Sequence, residues 1–143
     1  MIIKTKYHGE MPINEEQILV MENGIPGFVD EKTFVILPLS EDSPFLVLQS
    51  TATEELAFIV ASPFIFFKEY GFDLDDATAE LLEIEKVDDV EVMVILTIED
   101  PFEKTTANLR APIIVNRTNK RAKQVILHDT SYTTKHLIGG SPC

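Results

Sequence analysis

The chain has 143 residues, which is the size of a single domain with one hydrophobic core. Hydrophobic residues make up 45% of it and charged residues 25%, so its composition is that of a folded globular protein and excludes a disordered chain. Its single cysteine, Cys143, is the last residue and can close no disulfide within the chain, which favours a reducing cytoplasm.

The net charge of −12 is unevenly distributed. Residues 1–103 carry 23 acids and 5 bases, whereas residues 104–143 carry 1 acid and 7 bases. A chain this acidic is repelled by phosphate backbones, so direct nucleic-acid binding is disfavoured and a basic protein partner is favoured. The alternative is that the charge serves solubility alone.

Short apolar runs of strand length recur through the first half of the chain and are separated by turn residues. In chain order they are residues 2–3, 18–21, 34–37, 45–48 and 57–61. Residues 24–28 read Gly-Ile-Pro-Gly-Phe, and their glycines and proline predict a compact double turn between two of these strands.

Neither a signal peptide nor a membrane anchor is expected. Lys4 and Lys6 interrupt the apolar pattern at the N-terminus. The longest apolar stretch, residues 56–67, is broken by Ser62 and Pro63 and is too short to span a bilayer.

One segment has the periodicity of an amphipathic helix, with apolar residues spaced i, i+3, i+7 and i+10. These residues, which we expect to face the core, are Leu74, Ala77, Leu81 and Ile84. Asp75 or Asp76 can cap the start of the helix.

Beside this apolar face runs a stripe of acids with the same spacing. The acidic stripe consists of Asp73, Asp76, Glu80 and Glu83, with Glu69 as an extension. No Lys or Arg lies between Lys68 and Lys86, so each like-charged pair costs about 0.2–0.5 kcal/mol without relief inside the helix. The stripe is either a solvated face or a docking surface for a basic protein, and both interpretations stay open.

A group of aromatic residues directly precedes the predicted helix. Its members are Phe64, Phe66, Phe67, Tyr70 and Phe72. They form either part of the core or the apolar centre of an interface, and the core is favoured for most of them.

The second half of the chain predicts more strands. Residues 90–98 are apolar on both faces in the middle, which predicts the most deeply buried strand. Residues 111–115 and 124–127 flank a polar segment with turn chemistry and predict a hairpin with a basic tip. Many short strands with one short amphipathic helix indicate a mainly β fold, a small antiparallel β-barrel-like or sandwich domain over residues 1–138, followed by a flexible tail at 139–143.

No constellation indicates catalysis or a metal site. His128, Asp129 and Ser131 have the residue types of a hydrolase triad, but neighbours along a strand point to opposite faces. The three histidines, His8, His128 and His136, lack metal-ligand spacing, and the glycine turn lacks the Lys and Ser/Thr of a phosphate loop. We therefore expect neither an enzyme nor a cofactor.

Several motifs occur together and in a fixed order. They are Gly24-Ile25-Pro26-Gly27-Phe28, Pro44-Phe45 with Leu48-Gln49-Ser50, Pro63 through Tyr70, Asn108-Leu109-Arg110-Ala111-Pro112-Ile113, and Gln124-Val125-Ile126-Leu127 followed by Tyr132. Through them the chain resembles the FliW family of flagellar assembly factors over residues 2 to about 138.

The resemblance implies a cytoplasmic bacterial protein that binds two partners. One is CsrA, a small dimeric RNA-binding translational repressor, and the other is flagellin. While flagellin subunits accumulate they occupy the FliW-like protein and leave CsrA free to repress flagellin translation; export of flagellin releases the protein to sequester CsrA. The resemblance also implies an allosteric contact beside the RNA surface of CsrA, without mimicry of RNA. We expect a monomer when the protein is free, and no membrane contact.

The resemblance does not assign interface residues, so these follow from charge and spacing. The candidate CsrA contacts are Asp73, Asp76, Glu80, Glu83 and Glu69. The candidate flagellin contacts are Phe64, Phe67, Tyr70 and Phe72. One alternative is a dedicated flagellin chaperone without CsrA binding; another, an enzyme or small-molecule barrel, needs a deep polar pocket that no motif indicates.

Overall fold

The computed structural model describes residues 1–21, 24–25, 27–28, 30–40, 44–68, 70–72, 74–99, 104–127, 132–133 and 135–138. The strands are β1 (Ile2–Thr5), β2 (Gly9–Pro12), β3 (Leu19–Val20), β4 (Thr33–Pro38), β5 (Leu46–Ser50), β6 (Ala57–Ala61), β7 (Val90–Thr97), β8 (Thr106–Ala107), β9 (Ile113–Asn116), β10 (Arg121–Gln124) and β11 (His136–Leu137). The helix α1 spans Asp76–Leu81, and short 3-10 turns span Glu15–Gln17, Pro63–Ile65 and Val87–Asp89. The predicted tail at 139–143 lies outside the described residues.

Seven strands close into a barrel, which decides between the predicted barrel and sandwich. Neighbours run in the order β3, β4, β5, β6, β7, β9 and β10, and β10 returns to β3. All pairings are antiparallel except the last, in which Arg121 lies opposite Val20 in a parallel bridge. Strand β7 extends beyond the barrel and pairs with β8, which pairs with β11. Closure satisfies the backbone groups that an open sheet would leave at its edges.

Three apolar clusters explain why several strands are apolar on both faces. The barrel interior is filled by side chains that include Phe34, Leu48 and Met93. On the outside of β4 and β5, the β1–β2 hairpin covers a second cluster. The aromatic segment before α1 covers a third cluster on the outer side of β7. The central strands are therefore buried from two sides, as expected for apolar runs without alternation.

The prediction that residues 90–98 form the most deeply buried strand is wrong. In β7, Met93, Val94 and Leu96 are buried, but the first three residues of the strand are only half-buried. All four residues of β9 are buried, because β9 lies between β7 and β10 and helix α1 approaches its last residue.

The predicted hairpin exists, but its second strand starts earlier than expected. Strand β10 is Arg121–Gln124 and not residues 124–127, and the loop is residues 117–120. The apolar run at residues 124–127 indicated the wrong strand, because Ile126 within it is 51% exposed. Ala122 instead points into the barrel, between two polar neighbours. Lys120 has a positive φ of 61° and closes the loop, with its N–H donating to the Asn116 carbonyl at 2.9 Å.

Helix α1 is shorter than predicted, and its packed face matches the predicted one only in part, since Leu74, Leu81 and Ile84 are half-buried. Its buried residues are Thr78 and the following Leu82, whereas Ala77, expected in the core, is exposed. The i+10 periodicity fails because the helix has only six residues, so Ile84 lies beyond its end. Asp75, one of the two residues expected to cap the helix, occupies the N-cap position.

The helix ends in a Schellman motif. The Ile84 N–H donates to the Ala79 carbonyl at 2.9 Å, and the Glu83 N–H donates to the Glu80 carbonyl at 3.1 Å. Glu83 itself adopts the left-handed conformation, with φ of 57°. Glycine is preferred at this position because a Cβ is strained there.

We expect Glu83→Gly to be more stable than Glu83→Ala by about 1 kcal/mol, since only glycine relieves the left-handed strain. Both variants remove the carboxylate, so the difference between them isolates the backbone term. Urea denaturation of the two variants measures it. Equal midpoints and slopes would show that the φ of Glu83 stores no strain.

Within the described part of the chain, no helix has the length and apolar character needed to cross a membrane.

Candidate functional site

An open depression of about 400 Å³ lies along α1 and the turn that follows it. Four of its lining residues are acids, Asp76, Glu80, Glu83 and Glu85, which we call the acidic face. The four residues are exposed. Two members of the predicted acidic stripe, Asp73 and Glu69, lie outside the described residues.

The β9–β10 hairpin caps the C-terminus of α1. Arg121 donates from Nη1 to the Leu81 carbonyl at 3.3 Å. Asn116 and Asn119 donate from Nδ2 to the Leu82 carbonyl at 2.8 and 2.9 Å. The basic, polar tip of the hairpin thus supplies donors to the carbonyls that a helix leaves without partners.

Glu83 has a charged partner that sequence reasoning did not find. Its Oε2 lies 3.6 Å from Arg121 Nη1 and accepts from Asn119 Nδ2 at 3.4 Å. The pair is exposed, at 39% for the arginine and 64% for the glutamate side chain, so it contributes about 0–1 kcal/mol. An arginine from the base-rich second half of the chain therefore offsets part of the repulsion between the acids. Acids still predominate on the acidic face.

The aromatic segment is divided between core and surface. Tyr70 is 5% exposed, and its hydroxyl donates to the Leu109 carbonyl at 2.8 Å. Its ring lies 4.7 Å from the Tyr132 ring and 5.6 Å from the Phe72 ring, measured between centroids. Burial, with a smaller effect from Tyr132, raises the pKa of Tyr70. Tyr70 therefore offers little surface to a partner.

Among the other candidate flagellin contacts, Phe64 is the most accessible. It is 44% exposed and its neighbour Ile65 is 51% exposed. Phe67 and Phe72 are half-buried and pack against the cluster outside β7. A small apolar patch of Phe64 and Ile65 therefore lies at the surface beside a fixed aromatic core.

The glycine motif builds the predicted turn. Gly24 and Gly27 have positive φ values of 63° and 90°. Ile25 and Phe28 form an isolated antiparallel bridge, with the Phe28 N–H donating to the Ile25 carbonyl at 2.6 Å. Phe28 remains 44% exposed. Pro26 lies outside the described residues.

Gln49 is fully buried and organises the loop after β5. Its Oε1 accepts from the Lys6 backbone N–H at 2.9 Å. Its Nε2 lies 3.1–3.2 Å from four backbone carbonyls, those of Ser50, Thr53, Glu54 and Leu56. The side chain thus joins the end of β1 to the β5–β6 connection.

Ser50, also buried, fixes the start of the same loop. Its hydroxyl donates to Glu31 Oε1 at 2.7 Å and accepts from the N–H groups of Ala52 and Thr53 at 3.2 and 3.0 Å. Hydrogen bonds from the Thr53 and Ser50 side chains lower the pKa of Glu31. Gln49 and Ser50 therefore have structural roles.

The remaining motif residues fix the segment before β9 and, through Tyr132, the aromatic segment. Asn108 accepts from the Ala111 N–H at 3.1 Å, and Gln124 donates to the Ala111 carbonyl at 3.0 Å. Pro112 directly precedes β9, where its missing N–H removes no ladder bond. The Tyr132 hydroxyl accepts from the Gly71 N–H at 3.1 Å.

The sequence also singled out three histidines and a set of residues of the hydrolase-triad type. His8 Nε2 lies 2.8 Å from the Pro38 carbonyl, so its ring holds the β1–β2 turn against β4. His128, Asp129 and Ser131 lie outside the described residues. Among the residues that the structure does describe, no group of His, Cys, Asp and Glu is arranged to hold a metal ion.

A second depression, of about 230 Å³, lies at one end of the barrel among residues of β3, β4, β7 and β9. Buried Leu19 and Val115 contribute to its lining, and the Glu91–Arg117 ion pair, at 3.8 Å, lies at its rim. The interior beneath is occupied by the barrel core, so this depression is not the deep polar pocket that a small-molecule barrel needs.

Comparison with known proteins gives one consistent result. The sequence model of the FliW protein family matches residues 2–138. Proteins called flagellar assembly factor FliW from Bacillus licheniformis and Bacillus subtilis are 73% and 71% identical to the chain, in alignments that cover all of both chains. A crystal structure described as the flagellar assembly factor FliW superposes with a TM-score of 0.94 at 48% identity, again covering all of both chains. The chain belongs to the FliW protein family.

Proposed function

We propose that this protein is a flagellar assembly factor that binds CsrA and flagellin in alternation. The observation that carries the proposal is the 71–73% identity, over the full length of both chains, to two Bacillus proteins named flagellar assembly factor. Binding of CsrA relieves its repression of flagellin translation, and binding of flagellin releases CsrA.

The acidic face supports a basic partner for this protein. Three of its carboxylates, those of Asp76, Glu80 and Glu85, have no ion pair among the described contacts, and all four acids line one open depression. Opposite charge on an RNA-binding partner accelerates association and selects it against acidic proteins. In this proposal the acids contact CsrA beside its RNA surface, so the effect on RNA binding is allosteric.

Partner exchange of this kind needs a coupling free energy and no reactive group. If CsrA and flagellin each lower the affinity of the protein for the other, the two coupling factors are equal by thermodynamic linkage. A rigid closed barrel can present both surfaces without changing its fold, and the concentration of free flagellin then sets how much CsrA is bound.

The deciding experiment is a calorimetric titration of the purified protein with CsrA, repeated at saturating flagellin. We expect tight binding of CsrA alone and weaker binding when flagellin is present. The reverse titration, flagellin into the CsrA complex, should show the same loss of affinity. Absence of CsrA binding at low ionic strength would reject the proposal.

A dedicated flagellin chaperone is a second candidate function. The exposed Phe64 and Ile65 beside the aromatic core favour it, since exposed apolar side chains suit the apolar ends of an unassembled subunit. Capture of flagellin in a pull-down that never retains CsrA would favour this function over partner exchange.

Reversal of one charge on the acidic face tests the CsrA contact. We expect Glu80→Lys to weaken CsrA binding about tenfold at low salt, with a smaller effect at high salt because exposed charges are screened. Glu55→Lys is the matched control, because it makes the same charge change at an exposed residue outside the face. Equal affinities of the two variants for CsrA would exclude Glu80 from the interface.

A further inference from the structure

The acidic face is held in place by two asparagines from a distant part of the chain. Asn116 is only 1% exposed, and its Nδ2 donates to the carbonyls of Leu82 at 2.8 Å and Glu83 at 3.2 Å. Its Oδ1 accepts from both the N–H and the hydroxyl of Thr118, at 3.0 and 2.7 Å. Both polar atoms of its side chain are therefore hydrogen-bonded, the nitrogen to the end of the helix and the oxygen to the hairpin loop.

Asn119 repeats this arrangement from the opposite end of the loop. Its Nδ2 donates to the Leu82 carbonyl at 2.9 Å, and its Oδ1 accepts from the Arg121 N–H at 3.0 Å. Both amide groups thus use nitrogen for the helix and oxygen for the hairpin.

Helix α1 needs this support because it is short. Six residues are far below the length at which a helix is stable in isolation, and its last carbonyls require donors. Leu82 is 2% exposed and anchors the apolar side of this segment in the core, while the two asparagines hold its polar end. The direction in which Glu80 and Glu83 project is set by this joint.

We propose that Asn116 and Asn119 are positioning residues of the acidic face. They dock the C-terminus of α1 onto the β9–β10 hairpin and thereby give the carboxylates a fixed geometry for a basic partner. The consequence for CsrA rests on the proposed function, whereas the docking of the helix does not.

The substitution Asn→Asp isolates the role of the nitrogen. It keeps the oxygen that accepts from the hairpin loop, but it replaces the donor with an oxygen that faces a helix carbonyl. Asn108→Asp is the matched control, since Asn108 also uses its Oδ1 as an acceptor, from the Ala111 N–H, and contributes nothing to the acidic face.

The sign of the effect on binding separates positioning from charge. Asn116→Asp and Asn119→Asp each add a negative charge near the face, and charge alone would strengthen the binding of a basic partner. Loss of positioning weakens it. We expect CsrA affinity to fall about 5- to 30-fold in both variants, and to stay within about twofold of wild type in Asn108→Asp.

Amide hydrogen exchange tests the docking without any partner. We expect the amides of Leu82, Glu83 and Ile84, which close the last turn of the helix, to exchange at least about tenfold faster in Asn116→Asp and Asn119→Asp than in Asn108→Asp. Asn119 is half-buried, so Asn119→Asp should destabilise the fold less than Asn116→Asp does. If Asn116→Asp does not fold, the measurement on Asn119→Asp decides the question.

The outcomes distinguish this inference from the proposed function. Unchanged exchange at these amides in Asn119→Asp overturns the positioning role, whatever CsrA does. Faster exchange with unchanged or tighter CsrA binding shows that the docked helix does not position the contact and also overturns it. If the wild-type protein binds no CsrA, the proposed function fails, and the exchange measurement alone decides whether the asparagines dock the helix.

Discussion

Replacing Gln49 with leucine is expected to lower the free energy of unfolding by about 2–4 kcal/mol, because all the hydrogen bonds of a fully buried side chain are lost while the volume changes little. The Lys6 N–H loses its acceptor, and the carbonyls around Nε2 lose the donor that they share, a side chain that is itself fully buried. Chemical denaturation with urea measures the change.

Gln124→Leu is the matched control for this substitution. Gln124 is half-buried, and among the described residues its side chain makes one hydrogen bond, to the Ala111 carbonyl at 3.0 Å. We expect it to cost about 0.5–1.5 kcal/mol. Equal losses in the two variants would show that the loop carbonyls around Gln49 find other partners.

Removing the hydroxyl of Tyr70 is expected to cost about 1–3 kcal/mol at neutral pH, since Tyr70→Phe leaves the Leu109 carbonyl without a donor in the core. The ring contacts with Tyr132 and Phe72 remain, so the variant separates the hydrogen bond from the packing. Thermal and urea denaturation at pH 7 measure the loss, and Tyr7→Phe, at a residue 45% exposed, should change stability by less than about 0.5 kcal/mol.

The same hydroxyl gives a pH dependence with a defined sign. Burial raises the pKa of Tyr70 in the folded state, whereas in the unfolded chain a tyrosine ionises near pH 10. The stability that the neutral hydroxyl contributes is therefore complete below about pH 10 and is lost as the pH rises toward the folded pKa. Tyr70→Phe has no such proton, so its stability and that of the wild type should converge above pH 10. Parallel curves would contradict this assignment.

The fold class could be predicted from the sequence because strand signals depend on short-range patterns. The runs that became β4, β5 and β6 combine β-branched and aromatic residues with clear turn boundaries. Strands β8 and β11 have two residues each, which is too short for any periodicity. Barrel closure between β7 and β9 is a long-range pairing that local patterns do not encode.

The helix shows where sequence periodicity fails. The apolar residues at 74, 77, 81 and 84 fit one face of a long helix, but the segment forms fewer than two turns, and the face that packs is set by Thr78 and Leu82. In a helix this short, tertiary contacts outweigh the pattern. Three of the four acids of the face, Asp76, Glu80 and Glu83, were found by spacing, whereas Glu85 was missed because it does not follow that spacing. The partners of the face on the hairpin, more than 30 residues away, had no local signal.

The joint between α1 and the hairpin limits what a fragment of this protein can do. A synthetic peptide copying residues 74–85 would carry the same carboxylates but none of the donors that hold them, and at this length it would populate mostly unfolded conformations in water. A molecule designed to imitate this surface must therefore reproduce the barrel support, for instance with a covalent staple or a capping group in place of the two asparagines.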